Sequence, residues 1–298
     1  MSRLPLLTAL AVACAAGGKT GFDGETAYQY VETQVAFGPR IPNTEGHRRT
    51  GDWILEQLGR TADSVDVQAF DHVTAAGDTL HLRNFIGHFR PADTERILLL
   101  AHWDTRPHAD QSANLADQQR PVPGANDGAS GVAVLLGVAD VLARTPPSRG
   151  VDLLFVDGED YGDFDGPNGE VGPDVLLGSR YYAKTLPADR FPLFAVLFDM
   201  VGDTDLQIFE EGYSVARAPE VVQRVWEVAA DLGYGKVFQP TVRYTLTDDH
   251  VPLLDRGVHA IDVIDFDYPA WHTVNDTPDK VSARSLGIVG DVAVKLVM

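Results

Sequence analysis

The chain has 298 residues, with 24 Lys and Arg against 43 Asp and Glu, a formal net charge of −19. That balance lacks the basic face needed to neutralise phosphates, and so argues against nucleic acid as a partner. A hydrophobic fraction of 44% and a charged fraction of 22% exclude a disordered chain and predict a packed core.

An apolar run, Leu4 to Ala13, follows Arg3 and ends at the single cysteine, Cys14. It is too short to span a bilayer, which takes about 20 apolar residues. Leu10-Ala11-Val12-Ala13-Cys14 resembles a bacterial lipobox, in which the acylated cysteine becomes the mature N-terminus and attaches the protein to a membrane. The alternative is an ordinary cleaved signal with an incidental cysteine. Either predicts export, to the periplasm or to a membrane surface. Residues 1–14 are thus expected to form a leader, 15–24 a tether of small residues, and 25–298 one folded domain.

Glu25 to Phe37 has helical spacing, and Gly38-Pro39-Arg40-Ile41-Pro42 breaks it. A second helix is predicted from Thr44 to Leu58, where Ile54, Leu55 and Leu58 share a face. Alternation at Val65, Val67 and Ala69, and again at Leu80, Leu82 and Phe85, predicts antiparallel strands around Ala75-Ala76-Gly77-Asp78. From Ile97 the pattern changes to continuous apolar runs: Ile97 to Ala101, Val151 to Val156, Phe194 to Phe198 and Ala260 to Ile264. Such runs are strands buried on both faces. Helices predicted over Ser130 to Ala143, Pro219 to Leu232, Asp248 to Arg256 and Ser282 to Val297 would cover them. The alternation predicts an α/β fold: a single domain with a central mixed, mostly parallel twisted sheet flanked by helices.

Open α/β sheets bind ligands beyond the carboxyl ends of their strands. Reading past each apolar run gives His102, Trp103 and Asp104, then Asp157, Glu159 and Asp160, then Asp199, and finally Asp265, Trp271 and His272. The turn Gly124-Ala125-Asn126-Asp127-Gly128 adds a carboxylate before a helix. Imidazole nitrogens and carboxylate oxygens converging in this way are zinc donors by type. The adjacent Glu159 and Asp160 repel one another unless a cation binds one, which would leave the other free to move protons.

His102-Trp103-Asp104, Asp127 to Gly131, Asp157-Gly158-Glu159-Asp160, Leu177-Gly178-Ser179-Arg180, Asp199 and Trp271-His272-Thr273 together resemble the zinc-dependent glutaminyl cyclases of the animal and bacterial type. That group is built on the fold of the zinc aminopeptidases of peptidase family M28. The resemblance runs from about Gly38 through the C-terminal helix. It implies one zinc on Asp127, Asp160 and His272, with His102 and Asp104 behind it. The aminopeptidase pattern instead implies two zinc ions on His102, Asp127, Asp160, Asp199 and His272, and every one of these is present. Trp271 before the ligand, and Leu246 to Leu254 with Asp248, resemble the cyclases more closely. Asp160 stands where the animal cyclases have Glu. The resemblance implies a glutaminyl-peptide cyclotransferase that closes the N-terminal Gln of peptides to pyroglutamate and releases ammonia. Glu159 would be the acid-base, Asp199 and Asp248 a hydrogen-bonded pair sharing a proton, and Trp271, Tyr268, Leu246 and Trp103 the pocket. A monomer is expected. The alternatives are a dizinc aminopeptidase and a non-catalytic binding lipoprotein of the same fold.

Overall fold

The computed structural model describes residues 19–164 and 171–298. Cys14, the leader and the first part of the tether lie outside the described residues. Lys19 to Gly24, read from the sequence as tether, is packed: the Lys19 and Thr20 amides each donate to Asp291 at 3.0 Å, and Phe22 is fully buried.

Six strands form the sheet in the order β1-β2-β4-β3-β5-β8. β1 (Ser64–Val73) and β2 (Thr79–Phe89) make the antiparallel hairpin, and β2 runs antiparallel to β4 (Gly150–Val156). β4, β3 (Arg96–His102), β5 (Phe194–Asp199) and β8 (Ala260–Ile264) are parallel. Every residue of these four is buried, as their continuous apolar runs predict. In the hairpin β2 keeps its predicted phase, with Leu80, Leu82 and Phe85 buried, but β1 does not. β1 is an edge strand, and Val67 is left 45% exposed.

Helices α1 (Gly24–Ala36), α2 (Glu45–Thr61), α3 (Ala129–Arg144) and α8 (Ala283–Val297) pack as one layer. Asp23, Thr44 and Ser282 accept amide hydrogen bonds as N-caps of α1, α2 and α8. α4 (Leu177–Thr185) and α7 (His250–Arg256) pack together against β2, β4, β5 and β8. Between β5 and β8 run the short parallel ribbon β6 (Ile208–Glu211) and β7 (Phe238–Tyr244) and the helices α5 (Gly212–Arg217) and α6 (Pro219–Asp231). The ribbon, α4 and α5 were not predicted. Among the described residues no helix is long and apolar enough to cross a membrane.

Two glycines let α3 lie against the strand ends. A Cβ on Gly131 would stand 2.2 Å from the Phe198 carbonyl oxygen. Gly128, at φ +86°, would place one 2.7 Å from that of Asp104. The parallel strands therefore deliver His102, the segment after Val156, Asp199 and the segment after Ile264 to one edge of the sheet, beside the start of α3.

Candidate active site

Two donor sets meet at that edge and share Asp127. One is Asp127, Asp160 and His272; the other is His102, Asp127 and Asp199. Within each, one donor atom per residue lies within 4.8 Å of the others, and all five residues are buried. His102 Nε2 is 3.2 Å from Asp127 Oδ1 and 3.1 Å from Asp199 Oδ1. His272 Nε2 is 3.7 Å from Asp127 Oδ2 and 3.4 Å from Asp160 Oδ1. Asp160 Oδ2 is buried with no hydrogen-bond partner among the described residues. Two carboxylates and an imidazole, one oxygen of them unclaimed, fit a zinc ion with a coordination position left open. His272 itself adopts φ +53°, a strained conformation for a residue with a Cβ.

The loops are fixed from behind. Arg40, fully buried, donates from Nε to Trp103 O, from Nη1 to Pro123 O, and from Nη2 to Gly124 O and Asp127 O. Burial lowers its pKa to about 10, against the pull of Asp276, Asp127 and Asp104, and it stays charged at neutral pH. Asp276 accepts from the amides of Asn126 and Asp127 at 2.8 and 3.1 Å. The sequence flagged neither residue as a support, because each acts on a turn far away along the chain.

Asp104 lies behind the donors, as the resemblance implies, and acts on a neighbouring loop. Its oxygens accept from the amides of Glu159 (3.0 Å) and Asp160 (3.1 Å), so it clasps that loop and stands 3.6 Å from His102 Nδ1, beyond hydrogen-bonding distance. Trp103 is not part of the pocket. Side chains alternate at the end of β3, so His102 points to the site and Trp103 away from it. The indole stacks on His47 at 4.3 Å and donates to Arg83 O. Tyr268 also lies behind the pocket, donating its hydroxyl to Asp276 at 2.7 Å, where a buried carboxylate needs a donor.

The pocket itself has a volume of about 320 Å³. Glu159, Asp127, Asp199, Asp248 and His272 line it, with Leu246 and Trp271 as its expected apolar walls. Trp271 stacks on His272 at 4.0 Å and packs against Phe266 at 4.9 Å. Phe164, Met200 and Phe266 also line it and were not foreseen. Glu211, also missed, caps α5 and accepts from the Leu246 amide at 3.0 Å, which fixes the loop that carries this wall residue.

Burial drives the Glu159 carboxyl well above its ordinary pKa, and Asp160, Asp248 and Asp249 add to that rise against the opposing pull of His102. Burial and then Asp199 push Asp248 up to about 7. The expected direct bond between these two aspartates is absent among the described residues. Asp199 turns to His102, and Asp248 Oδ1 accepts from the Asp249 amide at 2.5 Å. A third acid, Asp262 of β8, stands within hydrogen-bonding reach of Asp248 instead.

Residues 84–297 match the model of peptidase family M28. The chain is 28% identical over 267 residues to the glutaminyl-peptide cyclotransferase of Drosophila melanogaster, covering 80% of this chain and 70% of that one. Among solved structures it is similar to the Bacteroides thetaiotaomicron glutaminyl cyclase bound to N-acetylhistamine, with 37% identity, TM-score 0.86, and coverage of 93% and 97%. It is similar too to a Zn-dependent exopeptidase from Parabacteroides distasonis, with 35% identity, TM-score 0.87, and coverage of 93% and 98%.

Proposed function

The chain belongs to peptidase family M28, and we propose that within it the protein is a glutaminyl-peptide cyclotransferase, acting on the N-terminal Gln of peptides with one zinc ion. The observation that carries this reading is the pocket. It is small, walled by Trp271, Leu246 and Phe266, and floored by Glu159 and the donors Asp127 and His272. Such a space suits one folded-back side chain with its own amine.

Asp127, Asp160 and His272 would hold the zinc, which when bound supplies Lewis-acid polarisation of the substrate's γ-carboxamide oxygen. Trp271 and Phe266 press the alkyl part of Gln into place and exclude water, so that the α-nitrogen meets the γ-carbon, an advantage of orientation worth several kcal/mol. Glu159 accepts the proton that the α-amine loses as the new C–N bond forms. It returns that proton to the leaving nitrogen as the old C–N bond breaks, and ammonia departs. A carboxyl raised by burial is a stronger base than a solvated one, which suits this task. Asp248 and Asp199 also line the pocket that would receive the amine. The apolar leader ending at Cys14 supports export of this activity.

One observation favours a second reading. The set His102, Asp127 and Asp199 is also compact enough for an ion, and a dizinc aminopeptidase would use it, with Glu159 activating water. Zinc content and two substrates separate the readings. We expect about one zinc per chain, ammonia from a Gln-initiated peptide and no cleavage of a Leu-initiated amide. Efficient Leu-amide cleavage with two tightly held ions overturns the cyclase. Glu159→Gln should keep fold and zinc while lowering kcat at least ~10²-fold; near-normal turnover would remove Glu159 from its role.

A further inference from the structure

The two donor sets differ in what stands behind them. Arg106, 6% exposed, comes from the loop after β3 and belongs to neither set. Its Nη1 donates to Asp160 Oδ1 at 2.8 Å and to Gly162 O at 2.9 Å. Its Nε and Nη2 donate to Asp110 Oδ2 at 3.1 and 2.7 Å. The other Asp110 oxygen, Oδ1, lies 3.3 Å from His272 Nδ1, a close charge contact without hydrogen-bond alignment, and among the described residues it has no hydrogen-bond partner. The same loop holds the His272 backbone, since the Gln111 amide donates to His272 O at 3.1 Å. One guanidinium therefore braces a carboxylate donor directly and an imidazole donor through a second carboxylate.

Among the described residues no guanidinium braces the second set in this way. His102 Nδ1 is buried without a hydrogen-bond partner, and the nearest carboxylates stand 3.5 Å (Glu159) and 3.6 Å (Asp104) away. Metal-binding histidines are ordinarily oriented by an acceptor on the second ring nitrogen, and losing that acceptor weakens the site. His272 has the nearer carboxylate, and Arg106 holds that carboxylate in place, which it does for neither carboxylate near His102.

We propose that Arg106 and Asp110 form a positioning clamp that fixes Asp160 and His272 for one metal ion, and that this clamp sets the zinc affinity of the protein. It rests on the reading of Asp127, Asp160 and His272 as the zinc donors. Arg106 takes Asp160 Oδ1 and leaves Oδ2 free, so Asp160 presents a single oxygen in one direction. A planar fork is required for this. It reaches two carboxylates and a carbonyl at once, which the point charge of Lys cannot do.

The test is zinc affinity, measured on the full chain by competition with a chromophoric chelator, with the cobalt(II) absorption spectrum as a second readout. Arg106→Lys keeps the charge and removes the fork; Asp110→Ala removes the carboxylate that faces His272 Nδ1. Each should weaken zinc about 10- to 100-fold. Because the two act partly through one another, the double variant should fall short of the product of the single effects. The cobalt bands should shift in both single variants. His102→Ala should change zinc affinity by less than about threefold. Melting of the metal-free proteins and their far-ultraviolet circular dichroism check that the fold is intact. A folded Arg106→Lys that binds zinc as tightly as wild type, with an unshifted cobalt spectrum, overturns the clamp. If Arg106→Lys does not fold, Asp110→Ala decides alone by the same criterion. Failure of the cyclase reading looks different. A chain whose zinc affinity obeys this pattern but which cleaves Leu-amides keeps the clamp and loses the cyclotransferase.

Discussion

Near the amino-terminal edge of the sheet Asp152 is enclosed by cations, whereas Asp262, in β8, is enclosed by acids. Each is the third residue of its strand and the lone charge in an apolar run. Arg96 donates from Nε to Asp152 Oδ2 at 2.7 Å and from Nη2 to Oδ1, and His88 Nδ1 lies 2.5 Å from Oδ1. Against the cost of burial, Arg96 and His88 hold the Asp152 carboxyl below its ordinary range. Among the described residues neither oxygen of Asp262 has a donor from an N–H or hydroxyl group. Burial, then Asp248, Asp199 and Glu211, push that carboxyl well above its ordinary range. A buried acid matched to a cation supports the fold, and one left among acids is kept for its proton.

The largest effect that would break this comparison is at Asp152. Asp152→Ala leaves Arg96, only 2% exposed, without its carboxylate partner, and removing one member of a buried pair costs about 3–5 kcal/mol. Urea unfolding should show a loss of that order, while the protein that remains folded binds zinc as before. Replacing both Arg96 and Asp152 with Leu should recover most of the stability. A single-variant loss below about 1 kcal/mol would mean that the ion cluster does not support this edge.

The sheet and much of the site were legible for one reason. A strand buried on both faces must be continuously apolar, so the residue after each run could be read directly, and His102, Asp199 and the Glu159–Asp160 loop were found in this way. What braces them was not legible. Arg106 and Asp160 are 54 residues apart, and Asp276 and Asp127 are 149 apart; nothing local marks either member. Trp103 was misplaced although strand alternation alone predicts that it faces away from His102. Asp152 and Asp262 both read as lone charges in apolar strands. The distinction between them lies in their neighbours, Arg96 from β3 and His88 from β2 in one case, Asp248 and Asp199 in the other, and register, not composition, decides that.

Asp262→Asn sharpens the comparison from the other side. Asn keeps the shape, removes one acid from a cluster of acids, and offers Asp248 an amide donor. The melting temperature should stay the same or rise, opposite to the Asp152 variant. Turnover of a Gln-initiated peptide should fall about tenfold, less than for Glu159, because Asp262 acts through Asp248 and touches no substrate. A stability loss as large as that of Asp152→Ala would make Asp262 another structural acid and erase the contrast.

The smallest effect concerns the pH dependence of the matched edge. Burial opposes the charged form of His88, but Asp152 at 2.5 Å and Asp66 at 3.3 Å outweigh it and raise the imidazole pKa above its ordinary value. A raised folded-state pKa means that this stabilisation is complete below the unfolded value, about 6.5, and disappears as pH rises through the folded value. Asp152, depressed, works in the opposite direction: its contribution is complete above about pH 4 and is lost as pH falls through its folded value. The cluster is therefore strongest between about pH 4 and 6.5. Because His88 is partly open to solvent, its share should be about 1 kcal/mol or less. Urea unfolding at pH 5.5 and at pH 9 should show that His88→Gln loses less stability between the two than wild type does, while Asp152→Ala, having removed the histidine's main partner, behaves like His88→Gln. Equal pH slopes in wild type and His88→Gln would leave Arg96 as the sole cation that matters to Asp152.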